Sequence, residues 1–214
     1  MGKLFAGPWC DFRGRVGNNV GRYVNGENIL AIKPHKSNKP ATAVQVNHQD
    51  IFGTINSIVT WWKDPIADGF RNSSKMSPRG AAVKYNLKHA VMGDKPNQAI
   101  DYEKLCFSRG HLAQASKATV INKVDEEYYI TFSWTMDDID VTANPKDLIS
   151  LIVYCPSIGG NTGHAKFIER SKLTFDLAIP RKFHGNQLEC YICFTSPDGK
   201  KASDSQYVGS LLKT

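Results

Sequence analysis

The stretch GRVGNNVGRYVNGENILAIKP, residues 14–34, sets glycines at 14, 17, 21 and 26 beside Arg15 and Arg22. Glycine-rich basic loops can cradle phosphates, but a phosphate loop needs G-x-x-x-x-G-K-[ST] between a strand and a helix. A dinucleotide fingerprint needs G-x-G-x-x-G. Neither spacing is present, so the glycines are expected to serve tight turns and close backbone approach. Around them Lys3, Arg13, Arg15, Arg22, Lys33, Lys36 and Lys39 interleave with Trp9, Phe12 and Tyr23. Cations can meet phosphates while aromatic rings stack on bases; an ordinary solvated basic face is the alternative. Arg13, Arg15, Arg22, Lys33, Lys36 and Lys39 are therefore the candidate contacts to a nucleic acid or another partner.

Other chemistry is sparse. Five cysteines, at 10, 106, 155, 190 and 193, are an odd, scattered set that does not read as a disulfide framework. Cys190 and Cys193 form a C-x-x-C inside LECYICF, an alternating run in which residues three apart point to opposite faces. Without a second such pair they read as structural. The six histidines never form H-x-H or H-x-x-x-H, so no local metal site is written into the chain. Cys106 and His111 make a nominal nucleophile and base, a pairing any chain of this length offers. Asp137, Asp138 and Asp140 resemble half of a calcium loop without its glycine and final glutamate. SIGGNTGH, residues 157–164, reads as a flexible loop. No cofactor, metal or small-molecule substrate is expected, and the chain is not read as an enzyme.

These residues need elements to hold them. The chain has 214 residues, 41% apolar and 22% charged, ordinary values for a globular protein able to bury a core. No apolar run approaches the ~18 residues of a membrane span. The start, MGKLFAGPWC, lacks the apolar core of a secretory signal. Pro8-Trp9 before Cys10 and Ala6 at the position where myristoylation wants Ser or Thr argue against lipidation. A place in the cytoplasm or in an assembled particle is expected. The net charge of +7 is uneven: residues 1–40 hold seven Lys/Arg against two acids, 41–115 nine against six, and 116–214 eleven against twelve. The basic excess lies in the first half, which suggests two units with different surfaces.

Asn25-Gly26 between RYV and ILAI is a strong hairpin signal. Thr42 and Gln45 have capping-box spacing, and Ile51, Phe52, Ile55, Ile58, Val59 and Trp62 follow at helical intervals, predicting a helix over 42–62 that ends before Pro65. A second helix is predicted after Ser77-Pro78, with Val83, Leu87, Ala90 and Val91 as its stripe and Gly93 as its stop. AIDYEKLCFSRG reads as a strand. From residue 116 the period changes to seven short strand-like segments, with a turn at Ser196-Pro197-Asp198-Gly199. Tyr128, Ile130, Phe132 and Trp134 share one side, as do Leu188, Cys190, Ile192 and Phe194. The expectation is an α+β chain: a basic hairpin and helical region over 1–115, then a seven-stranded fibronectin-III-like or Ig-like β-sandwich over 116–214. The helix stripe must then pack on the sandwich or on a second copy of the chain.

FRGRVGNNVGRYVNGENILAIKP, the PATAVQ helix entry, AVKYNLKHAVMG followed by AIDYEKLCFSRGHL, and CYICFTSPDGKKASDSQYVG together resemble an uncharacterised family of similar-sized Bacteroidota proteins. Arg15 stands where that family usually has Lys, and Asn19 where it has an apolar residue. Trp134 on the second strand resembles the fibronectin type III pattern. The family resemblance implies the boundaries of the fold and no activity. The functional expectation is a non-enzymatic structural or interaction protein, a subunit of a phage-derived or secreted assembly with a protein partner or self-association. The alternative is nucleic-acid binding through the basic N-terminal half.

Overall fold

A computed structural model of the chain describes residues 2–5, 7, 10–35, 38–71, 76–124, 126–136 and 143–213. The fold is mixed α+β, and every named strand pair is antiparallel. Two compact units comprise residues 1–41 and 42–214. This division differs from the change of character read at 115/116 in the sequence, since the helices share a core with the C-terminal strands.

The first unit is a four-stranded sheet of β1 (Gly2–Leu4), β2 (Gly14–Val16), β3 (Asn19–Val24) and β4 (Glu27–Ile32), in the order β1-β4-β3-β2. Its centre is the expected hairpin. Asn25 and Gly26 take φ of 52° and 85°, the left-handed pair that a type I′ turn requires. The flanking β1 and β2 are three residues each, too short to show an alternation in sequence. Gly21 is obligatory for a different reason: a Cβ there would run into the Phe12 carbonyl and ring.

The second unit opens with α1 (Ala43–Trp61), where the Thr42 side chain accepts from the Gln45 amide and Gln45 answers to the Thr42 amide, the predicted capping box. Pro65 does not follow a simple helix end. It sits in the first turn of a separate helix, α2 (Lys63–Gly69), where proline's missing N–H costs nothing. In α3 (Pro78–His89) the Ser77 hydroxyl caps the Gly80 amide at 3.2 Å. The strand expected over AIDYEKLCFSRG contracts to β6 (Ala99–Ile100), which pairs with β5 (Val91–Met92) upstream of the stretch and is followed by a 3-10 turn at Tyr102–Lys104.

The seven segments read after residue 116 form β7 (Ala118–Asn122), β8 (Tyr129–Trp134), β9 (Leu148–Cys155), β10 (Gly160–Glu169), β11 (Thr174–Ala178), β12 (Gln187–Thr195) and β13 (Gln206–Leu212). They make a four-stranded sheet, β10-β9-β12-β13, and a three-stranded sheet, β11-β8-β7. Of the stretch 157–164, expected as a loop, 157–159 form a turn, whereas Gly160 to His164 supply the first half of β10 and pair in register with Cys155 to Leu151. Backbone pairing to β9 overrides its loop-like composition.

Two cores share β9 and β12. One gathers Ile130, Phe132 and Trp134 of β8 with Ile149, Leu151 and Val153 of β9 and Leu188, Cys190, Ile192 and Phe194 of β12. The other sets Ile51, Ile55, Ile58, Val59 and Trp62 of the first helix and its end against Ile152, Tyr154, Tyr191 and Cys193. Strands covered on both faces read as continuous apolar runs, which accounts for LISLIVYC and CYICF. The helix stripe thus packs on the sheet, although Phe52, expected in it, is 46% exposed.

Arg170, in a 3-10 turn after β10, ties the segment entering β7 to this unit. Its guanidinium donates to the carbonyls of Ala113 and Gln114 at 2.8 and 2.6 Å and lies 4.2 Å over the Phe194 ring. The equally buried Asp147 carboxylate is 3.9 Å away.

Candidate interaction surfaces

Register sorts the N-terminal sheet into two unlike faces. Opposed residues share a face and alternate along each strand. Arg22, Ile29 and Lys3 form one row, and Arg15, Val20 and Ala31 the next on the same side. Lys3 pairs with Glu27 at 2.8 Å, and the Arg15 side chain donates to the Gly17 carbonyl at 2.9 Å. The opposite face carries Leu4, Val16, Asn19, Gly21, Tyr23, Asn28, Leu30 and Ile32, with no charged strand residue. Ile32 is 69% exposed, Val16 56% and Tyr23 52%. Among the described residues, none before 42 belongs to either core cluster.

The six cations singled out in sequence are therefore not one patch. Arg15 and Arg22 share a face. Arg13 lies with its guanidinium 5.1 Å from the Tyr23 ring centre, on the opposite side. Lys33 follows the end of β4, and its amide donates to the Asn18 carbonyl at 2.7 Å. Lys39 lies in the segment leading to α1, and Lys36 and Trp9 fall outside the described residues.

The residues considered for catalysis or metal binding are dispersed. Cys190 and Cys193 belong to different cores on opposite faces of β12. Burial pushes both thiols up, Cys193 to about 12. Cys106 donates to the Ser108 carbonyl at 3.3 Å, and burial raises it to about 11, the wrong direction for a nucleophile. The structure brings no histidine to that thiol among its described partners. Among the described residues no three His, Cys, Asp or Glu side chains converge on a metal position. Asp137, Asp138 and Asp140 lie outside the described residues.

Sequence reasoning missed a second basic surface, built from parts far apart in the chain. Arg79, Lys84 and Lys88 of α3, Arg109, and Lys200 with Lys201 after β12 line neighbouring clefts. The one local signal was that α3 contains no acidic residue.

A family model described as "Family of unknown function (DUF6266)" matches residues 11–209, and the chain belongs to that family. No curated protein matches it. One solved structure that is similar is the "Twitchin kinase region from C.elegans (Fn31-NL-kin-CRD-Ig26)", at 11% identity and a TM-score of 0.33. That match covers 47% of this chain and 17% of the twitchin chain. No described helix is long and apolar enough to cross a membrane.

Proposed function

We propose that this member of a family of unknown function is a non-enzymatic interaction protein, an assembly subunit whose N-terminal sheet is its contact surface. The carrying observation is the face of that sheet whose strand residues are all uncharged, with Val16, Tyr23 and Ile32 exposed and outside both cores and with Arg13 lying against the Tyr23 ring. The occupant is a second copy of the chain. A face whose strands carry no charge, with its Arg13 engaged on the Tyr23 ring, meets its own image with less repulsion than the face bearing Arg15 and Arg22, where Lys3 is paired with Glu27. The C-terminal unit is read as a fibronectin-III-like scaffold, supported by the four-plus-three strand partition and by the buried Trp134 on β8. A phage-derived or secreted particle of Bacteroidota type remains the setting this reading fits.

Sedimentation across a concentration series tests it. The native chain is expected to self-associate, and Val16→Lys with Ile32→Lys to weaken that association by about tenfold or more, since two charges would face an apolar partner. A native chain that stays monomeric at every concentration, or a variant that associates unchanged, overturns the reading. A second reading, nucleic-acid binding by the opposite face, is favoured by the shared placement of Arg15, Arg22 and Lys3. It requires the affinity to fall with salt and an Arg15→Gln, Arg22→Gln variant to flatten that dependence.

A further inference from the structure

We propose that three contiguous clefts around α3 form a binding track for single-stranded nucleic acid. The first, of about 800 Å³, is lined by Phe52, Val83 and Leu87 together with Arg79, Lys84 and Lys88. The second, about 640 Å³, shares Lys84 and Lys88 with the first and reaches Phe70, Tyr85 and Arg109. The third, about 590 Å³, shares Gly69 and Arg109 with the second and runs to Lys200 and Lys201. The clefts adjoin through these shared lining residues, and cations recur in each.

The charge along this track is not cancelled. Its third cleft contains Asp68 and Asp147, but Asp68 is ion-paired with Arg71 and Lys166, and Asp147 faces Arg170. Lys200 has Asp198 at 3.8 Å. Arg79 is held by the side-chain oxygens of Asn56 and Thr60, both uncharged. Lys84, Lys88, Arg109 and Lys201, like Arg79, have no carboxylate within ion-pair distance among the described residues. Lys84 and Lys88 also stand one turn apart on α3, where like charges repel. A chain of phosphates would relieve that repulsion.

Ring chemistry favours a single strand over a duplex. Tyr85 lines the second cleft, with the Arg109 guanidinium 4.5 Å from its ring centre and the His89 ring at 4.4 Å. Half-exposed Phe52 lies in the first cleft. With the Tyr85 ring packed between them, the exposed Arg109 guanidinium and His89 ring, together with Phe52, are the groups on which bases can stack while the lysines follow the backbone; a duplex keeps its bases paired and out of the clefts. An acidic peptide would match the charge locally, but cations in all three clefts suit a polymer charged at every unit. The track lies wholly in the second unit and does not rest on the N-terminal sheet.

Anisotropy of a labelled oligo(dT) over a salt series tests the track. The native chain is expected to bind at low salt. Lys84→Gln with Lys88→Gln and Lys201→Gln, all exposed and expected to melt as the native chain does, should weaken binding about tenfold. With three fewer phosphate contacts, the log–log salt slope should become shallower by about 2. Arg15→Gln with Arg22→Gln should bind like the native chain. No binding at low salt, an unaffected triple variant, or loss confined to the Arg15/Arg22 variant overturns the track. Tighter binding of duplex DNA, heparin or polyglutamate than of oligo(dT) overturns it as well.

Discussion

Replacing Ile55 by Asp is expected to leave residues 42–214 without a cooperative fold. Ile55 has no exposed surface and sits midway along α1, in the core shared with Ile152, Tyr154 and Tyr191. Truncating such a residue costs about 2–5 kcal/mol. A carboxyl with no partner adds a desolvation cost of about 1–3 kcal/mol even by cautious mutational scales. Their sum is comparable with the whole stability of a domain, about 5–15 kcal/mol. Urea titration by circular dichroism should show no transition, or one at far lower urea. Val46→Asp, on the same helix but exposed, should change stability by only about 0.5 kcal/mol. Equal effects from the two substitutions would contradict the placement of α1 on the sheet.

Arg170→Ala is expected to destabilise by about 3–5 kcal/mol, because it strips a buried carboxylate of its cation. The Ala113 and Gln114 carbonyls also lose their donors. The deficit should depend on pH. Burial raises the Asp147 carboxyl, while Arg170 and the Asn144 amide hold it back. A carboxyl raised in the folded state binds more protons there than when unfolded, so its stabilising contribution falls as pH rises through that window. Without Arg170 it rises further, and the variant's deficit should be smaller at about pH 4 than at about pH 8. Arg170→Met with Asp147→Asn, which removes both charges, should recover part of the loss in thermal melts. A pH-independent deficit would show that Arg170 acts through packing and carbonyl bonds alone.

Local chemistry was legible in the chain; long-range partnership was not. Thr42 and Gln45 announced the capping box, Asn25-Gly26 the turn, and the alternation in LECYICF placed Cys190 and Cys193 on opposite faces. Each depends on residues a few positions apart. Pro65 rightly marked the end of α1 before it, but the same residue type also opens helices, and α2 around it went unread. Residues 160–164 misled because glycine, asparagine and threonine signal a loop unless a neighbouring strand supplies the hydrogen bonds, as β9 does. The boundary at 115/116 followed the change of period, yet the contacts that bind α1 to Ile152 and Tyr191 join residues roughly a hundred apart. The same distance hid the basic track: Lys84, Arg109 and Lys201 are neighbours only after folding. The N-terminal cations were visible as a cluster, but only strand register shows that Arg13 parts from Arg15 and Arg22.

The claim that the N-terminal sheet is an association surface on an independently folded remainder is tested most directly by light scattering. The masses of the 42–214 fragment and the full chain are compared at matched concentrations. The fragment keeps both cores and lacks the exposed face of Val16, Tyr23 and Ile32. It is expected to run as a folded monomer where the full chain runs as a larger species. Equal association states for the two, or a fragment that aggregates without a thermal transition, would contradict the account.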